Sequence, residues 1–411
     1  MKKHTLPFIL LISFFLLNKV NSQDTRAYDP VIQTIVDKVN GDTIWNDMTV
    51  LSAKQRYTTN SNSVQAANYL KNYFLAIGFD TAYFQTYTIS GVSYVAPNVI
   101  AVKYGLTYPD SVIVVGAHYD VYASNAPGAD DNGSGTAAVM ETGRAIIGHD
   151  YKRTIKLVCF SGEEQGLYGS KAYANNAYTS GEKISAAITM DMIAYVKSGD
   201  AVNSDVYYNT NSTGLKNNYA TITSLYISGF TVANATYPSS AGSDVDSFWN
   251  KGYKAIFPCE GQYSSLPSSD HCSPYMHSSS DVVGATGNSK PQAQKITQSV
   301  VATVVTIAEL ETFTDLNYTN SLNENFYLNI SPNPVSTNAV VKYFIPENST
   351  VKISVYDIYG KLYKTLKCFH EHSIGSPSEI ILLVDDLSSG IYFLKLESTC
   401  GSVTKKFLVN K

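Results

Sequence analysis

The chain has 411 residues, 44% of them hydrophobic and 16% charged, with a formal net charge of −4 at pH 7. That length exceeds what one core usually organises, so two or more domains are expected. The apolar–charged balance is that of a globular protein, and the near-neutral charge gives no reason to expect nucleic-acid binding.

The chain opens on a leader. Lys2 and Lys3 precede an apolar run from Leu6 to Leu17, and Val20-Asn21-Ser22 brings small residues to a cleavage point. A basic start, an apolar middle and a small-residue end predict a secretory signal peptide over residues 1–22. The run is short for a bilayer span, which needs about 20 apolar residues. No later segment is long and apolar enough, so no transmembrane segment is expected in the mature chain. The 31 tyrosines suit strands and an exported protein.

Residues 23–314 read as one α/β domain. SVIVVGAH (111–118) is a strand by its β-branched run, and GTAAVMETGRAII (135–147) a helix by its small and apolar spacing. TIKLVCF (154–160) is a second strand, GLYGSKAYANNA (166–177) a second helix, and ISAAITMDM (184–192) a third strand. A helix near 215–227, a strand near 253–257 and a long helix near 291–311 follow. Strand–helix alternation with near-continuous apolar strands predicts a mostly parallel central sheet flanked by helices. Residues 315–326 read as a polar linker. Residues 327–411 are short strands divided by turns and predict a small β-sandwich. Within it His370 and His372 read as surface histidines.

Of the five cysteines, Cys159 reads as a buried thiol. Cys259, Cys272, Cys368 and Cys400 are candidates for disulfides in an exported protein, although spacing assigns no pairing. No CxxC motif suggests a cysteine zinc site.

In an α/β sheet, function gathers at the carboxyl ends of the strands. The first strand ends at His118, with Asp120 two residues on. The loop PGADDNGSG carries Asp130 and Asp131, Glu163 and Glu164 follow the second strand, and Asp191 closes the third. PYMHSSSD adds His277 and Asp281. Singly, each has an ordinary structural reading: a core histidine, aspartates capping a helix, an aspartate in a turn. Together, two imidazoles and at least three carboxylates at one rim are costly without a cation. A nitrogen and oxygen ligand set suits zinc, with manganese and cobalt as competitors.

The ordered series AHYD, PGADDNGSG, SGEEQGLYGS, TMDM and YMHSSSD resembles the zinc exopeptidase family of bacterial leucyl aminopeptidases, over roughly residues 56–311. The resemblance implies an α/β exopeptidase fold with two Zn2+ per chain. By motif position it implies His118 and Asp191 on one zinc, Glu164 and His277 on the other, and Asp131 bridging both. It implies Glu163 as the general base acting on a metal-activated water. Asp120 and Asp281 would orient His118 and His277 through their free ring N–H groups. A cis peptide would follow the bridging aspartate at Asp131–Asn132, and Met192, Phe257, Cys259 and Met276 would form the side-chain pocket. SDVDSFW departs from the family's SDHxxF, with Val245 in place of histidine, which leaves the shape of the substrate site open. His271, just before PYMH, reads as a residue behind the ligands or on the surface rather than as a ligand. The implied substrates are the N-termini of peptides or proteins. The alternatives are a glutaminyl cyclase or carboxypeptidase of the same fold, or a non-catalytic surface binding protein. The filled ligand and base positions favour hydrolysis.

The tail segments ISPNPVSTNAVVKYFIP, VYDIYGKLYKTL, SSGIYFLKL and KKFLVNK resemble the C-terminal sorting domain of the type IX secretion system. A carbohydrate-binding sandwich is the alternative. The resemblance implies the type IX secretion machinery as a partner and a location outside the cell or on its surface.

Overall fold

The computed structural model describes residues 27–236, 241–261, 272–311, 327–344, 351–358, 360–368, 378–398 and 401–411. The expected leader and linker, and His271, His370, His372 and Cys400, lie outside them.

The larger unit runs α1 (Pro30–Val36), α2 (Gly41–Ser52), α3 (Val64–Ile77), β1 (Thr81–Gln85), β2 (Asn98–Lys103), β3 (Tyr108–His118), α4 (Gly133–Ile146), β4 (Arg153–Phe160), α5 (Tyr168–Thr179), β5 (Lys183–Thr189), β6 (Asn203–Tyr208), α6 (Thr213–Tyr226), β7 (Thr231–Thr236), α7 (Val245–Trp249), β8 (Ala255–Cys259) and α8 (Lys290–Ala308). Its sheet has the order β1-β2-β4-β3-β5-β8-β6-β7. The centre, β4-β3-β5-β8, is parallel. Around it, β1–β2, β2–β4 and β8–β6 pair antiparallel, and the edge pair β6–β7 is again parallel, so the sheet is mixed.

Alternation along β3 divides the core. Ile113 and Val115 belong to one apolar cluster, with Ile44 and Met48 of α2 and Val300 and Val304 of α8. Val112 and Val114 belong to a second, with Tyr173 of α5 and Phe248 of α7. Successive residues of a strand face opposite sides, so both faces are covered. Helix α4 is buried along nearly all its length. Its glycine, serine and alanine residues let it lie close to the sheet, and Asn132 caps it by accepting from Gly135 N at 2.9 Å.

The third strand stops earlier than its apolar pattern suggests. β5 ends at Thr189, and three residues on Met192 takes a left-handed backbone, with φ of 47°, which a strand cannot hold. Asp191 therefore lies on the exit loop.

The second unit contains β9 (Tyr327–Ser331), β10 (Asn338–Phe344), β11 (Val351–Asp357), β12 (Leu362–Cys368), β13 (Ser378–Leu383), β14 (Gly390–Ser398) and β15 (Gly401–Val409). Two antiparallel sheets, β13-β10-β9 and β12-β11-β14-β15, enclose their own core, including Val341, Ile353, Leu394 and Phe407. Among the described residues, no helix is long and apolar enough to cross a membrane.

Candidate metal centre

The parallel strands bring the acidic and imidazole groups to one rim. β3 ends on His118. Just past β4, the chain turns at Gly162, φ 74°, and the amides of Gly166 and Leu167 both donate to Glu163 O at 2.8 Å. Glu163 and Glu164 are thus held on a tight turn. Their own amides donate to the two carboxylate oxygens of Asp120, at 3.3 and 3.4 Å. Asp120 Oδ1 also lies 3.5 Å from His118 Nδ1. One buried carboxylate therefore holds the amides of both glutamates and lies against the histidine ring.

Asp131 stands between the two halves of the site. Its Oδ1 is 3.5 Å from His118 Nε2, and its Oδ2 is 3.3 Å from His277 Nε2. His118 Nε2 is 3.3 Å from Asp191 Oδ1, and His277 Nε2 is 3.1 Å from Glu164 Oε2. Among the described residues, His118, Asp131 and Asp191 form one group whose donor atoms all lie within 4.8 Å, and Asp131, Glu164 and His277 form another. Both ring nitrogens of His118 and Oε1 of Glu164 are buried without a hydrogen bond of acceptable geometry. Glu163 Oε2 faces the first group, 4.0 Å from His118 Nε2. The peptide bond Asp131–Asn132 is cis.

The electrostatics favour a bound cation. Burial pushes the Asp131 carboxyl well above the usual range, and Glu164 and Asp191 add to the shift. Burial raises Glu163 likewise, with His118 opposing and Asp191 reinforcing. For His118, burial disfavours the charged ring, but Asp191 and Glu163 outweigh it and raise its pKa well above normal. A crowd of carboxylates around two imidazoles, with buried donor atoms unpaired, fits the binding of zinc.

Asp281 acts elsewhere than on His277. Its two oxygens accept the amides of Asp130 and Asp131, at 2.9 and 3.0 Å, so it fixes the loop of the shared aspartate. His277 instead stacks on Tyr122. Cys259 and Cys272 stand as free thiols. The Cys259 sulfur is turned inward, donating to Gly261 O at 3.0 Å, and away from the cleft.

Several groups around the centre escape sequence reading. Arg56 is fully buried beneath it. Asp130 is raised to about 7, chiefly by burial and then by Asp281, and its Oδ1 accepts from Ala194 N. Glu260 accepts the amides of Tyr195 and Ser273 and so joins the Asp191 loop to the chain leading to His277. Asp244 is also raised to about 7, first by burial. Ser243 donates to Asp191 Oδ2 at 2.9 Å. Asp130 is marked by its loop motif, but its partner is not, and the others carry no spacing signal, because their partners are backbone groups or lie far away in sequence.

A cavity of 570 Å³ opens beside the centre, lined by Asp131, Glu163, Glu164, Asp191 and His277 on one side. Met192, Phe257, Met276 and Leu167 supply apolar wall. Val245 is buried in the apolar cluster with Phe160, Phe248 and Phe257. Its neighbours Ser243 and Asp246 face the cavity.

Comparison with known proteins agrees with this architecture. The model of Peptidase family M28 matches residues 98–304. That of the secretion system C-terminal sorting domain matches residues 329–410, which makes this an exported protein, secreted or held at the cell surface. The chain is 34% identical over 154 residues to a probable zinc metalloprotease of Pyrenophora tritici-repentis, covering 35% of this chain but only 29% of that protein. It is 26% identical over 279 residues to leucine aminopeptidase 1 of Trichophyton equinum, covering 61% and 70% of the two chains. The crystal structure of the LapA aminopeptidase of Legionella pneumophila matches with a TM-score of 0.60 at 26% identity, over 71% of this chain and 79% of that one.

Proposed function

Because the chain belongs to peptidase family M28, we propose that it is a secreted dizinc aminopeptidase, removing residues one at a time from the N-termini of peptides or proteins. The observation that carries this reading is the division of Asp131, one oxygen toward His118 and the other toward His277. A single carboxylate shared by two donor groups is what a two-metal centre needs. His118 and Asp191 would hold one ion, Glu164 and His277 the other, and Asp131 both.

When bound, two zinc ions supply Lewis-acid polarisation of the scissile carbonyl and lower the pKa of an attacking water. The rest is the work of this chain. Glu163, beside the first group but outside both donor sets, accepts a proton from the water on its carboxylate and returns it to the leaving amine. Its neighbour Glu164 is committed to His277, so the adjacent glutamates divide the two tasks. The carboxylates of the rim attract the cationic α-amino terminus, and the wall of Met192, Phe257 and Met276 receives the side chain of the residue to be removed.

The test is a metal count on purified protein together with hydrolysis of aminoacyl-arylamides, with and without chelator, and an N-acylated control. Two zinc ions per chain, chelator-sensitive cleavage and an inert blocked substrate are expected. One zinc per chain, or cleavage of the blocked substrate, would overturn the reading.

A further inference from the structure

Arg56 is buried to 0% exposure yet stands outside both donor groups and outside the cavity wall. Its Nη1 donates to Tyr119 O at 3.1 Å, and its Nη2 to Pro127 O and Gly128 O at 2.5 Å each. Tyr119 lies between His118 and Asp120, while Gly128 begins the short loop to Asp131. The guanidinium therefore spans the two segments that deliver His118 and the shared aspartate. The loop is shaped to receive it. Gly128 has φ of 56°, and a Cβ there would meet Asp131 O at 2.5 Å and Arg56 Nη2 at 2.9 Å. Only glycine fits this approach. Gly133 N then closes the loop on Gly128 O at 3.0 Å.

The charge is also placed to matter. Burial lowers the Arg56 pKa to about 10, with Asp281, Asp120 and Asp131 opposing the fall, so the group stays cationic at neutral pH. Its field reaches the shared ligand and both carboxylates that hold the ligand loops.

We propose that Arg56 is a positioning residue for the metal centre: its two-pronged guanidinium sets the spacing between His118 and Asp131, and through it the affinity of the site for zinc. The proposal rests on the dizinc reading. A planar fork holds two segments at once, whereas a lysine ammonium is a point donor on a flexible stem. Arg56→Lys thus keeps the charge and loses the span.

The experiment is zinc titration against a chromophoric chelator, on full-length wild type, Arg56→Lys and Arg56→Met, with circular dichroism to establish folding. Both variants should bind zinc about 10- to 100-fold more weakly, the usual cost of losing a group that orients ligands. In Arg56→Ala, millimolar guanidinium should restore affinity and sodium at equal ionic strength should not. A role in folding alone would lower thermal stability and leave the zinc affinity of the folded variants unchanged. Wild-type affinity in folded Arg56→Lys would overturn the proposal, and if Arg56→Met does not fold, Arg56→Lys decides. Failure of wild type to bind two zinc ions would instead count against the dizinc reading itself.

Discussion

The ring of Tyr122 lies flat on the imidazole of His277, with centroids 4.2 Å apart and planes inclined by 11°. His277 is the exposed member of the centre, its side chain 40% accessible, against 0% for His118. It also holds a positive φ of 60°, which a non-glycine residue adopts only under constraint. The stack takes the place of a carboxylate in aiming this ring. Tyr122→Ala should weaken zinc binding in the Glu164–His277 group by about three- to tenfold, the range for an aromatic pair. Tyr122→Phe should keep wild-type affinity. A stepwise zinc titration separates them, and equal isotherms for all three proteins would contradict the assigned role.

The two adjacent glutamates should fail in different ways. Glu163→Gln should retain both zinc ions and lose about 10²- to 10⁴-fold in kcat, the usual contribution of a general base. Glu164→Gln should lose zinc first, so that its activity recovers in part as zinc is raised. Rates measured across a zinc series, with bound metal counted alongside, distinguish the two patterns.

Removing zinc should destabilise the fold itself. Asp131, Glu163, Glu164 and Asp191 line one cavity, and once the ions are gone only the two imidazoles and the buried Arg56 offset their repulsion. A ligand held at 100 times its dissociation constant stabilises by about 2.7 kcal/mol. Chelated protein should therefore melt several degrees lower in a thermal scan and recover when zinc is restored. An unchanged melting temperature would argue that the centre is empty in the purified protein.

Asp47, remote from the centre, gives a separate test by pH. It is buried on α2, and its pKa is raised to about 7 by burial first and then by Glu141. Its Oδ2 has no hydrogen-bond partner. Because the folded pKa exceeds the unfolded value of 3.8, the associated stability is fully present below about pH 4 and lost as pH rises through about 7. Asp47→Asn should remove that loss and raise stability at pH 8 by roughly 1–3 kcal/mol. Urea unfolding of both proteins at pH 5 and pH 8 checks this. A variant no more stable than wild type at pH 8 would show that the ionised carboxylate is accommodated.

The groups at the rim were legible because each follows the end of an apolar strand or lies in a short motif: His118 after SVIVVGA, the glutamates after TIKLVCF. The parallel heart of the sheet was legible for the same reason. Its antiparallel flanks were not. β1 is half-buried except for the exposed Tyr83, and its apolar run is only three residues long. The YMHSSSD motif puts Asp281 at the centre, but a motif gives proximity in sequence and cannot say that a carboxylate turns to the amides of Asp130 and Asp131. Arg56 was invisible as a member of the site. Its partners are carbonyl oxygens, which every residue type carries, 63 to 72 positions away.

The clamp of Asp281 on the amide of Asp130 joins residues 151 positions apart. Such a contact forms only after a very large loop has closed, and loop closure of that length is slow and entropically opposed. The loop of the shared aspartate therefore depends for its final place on the docking of the segment after β8. Until that docking, Asp131 and His277 do not meet, so the second donor group exists only when segments far apart in the chain are both in place.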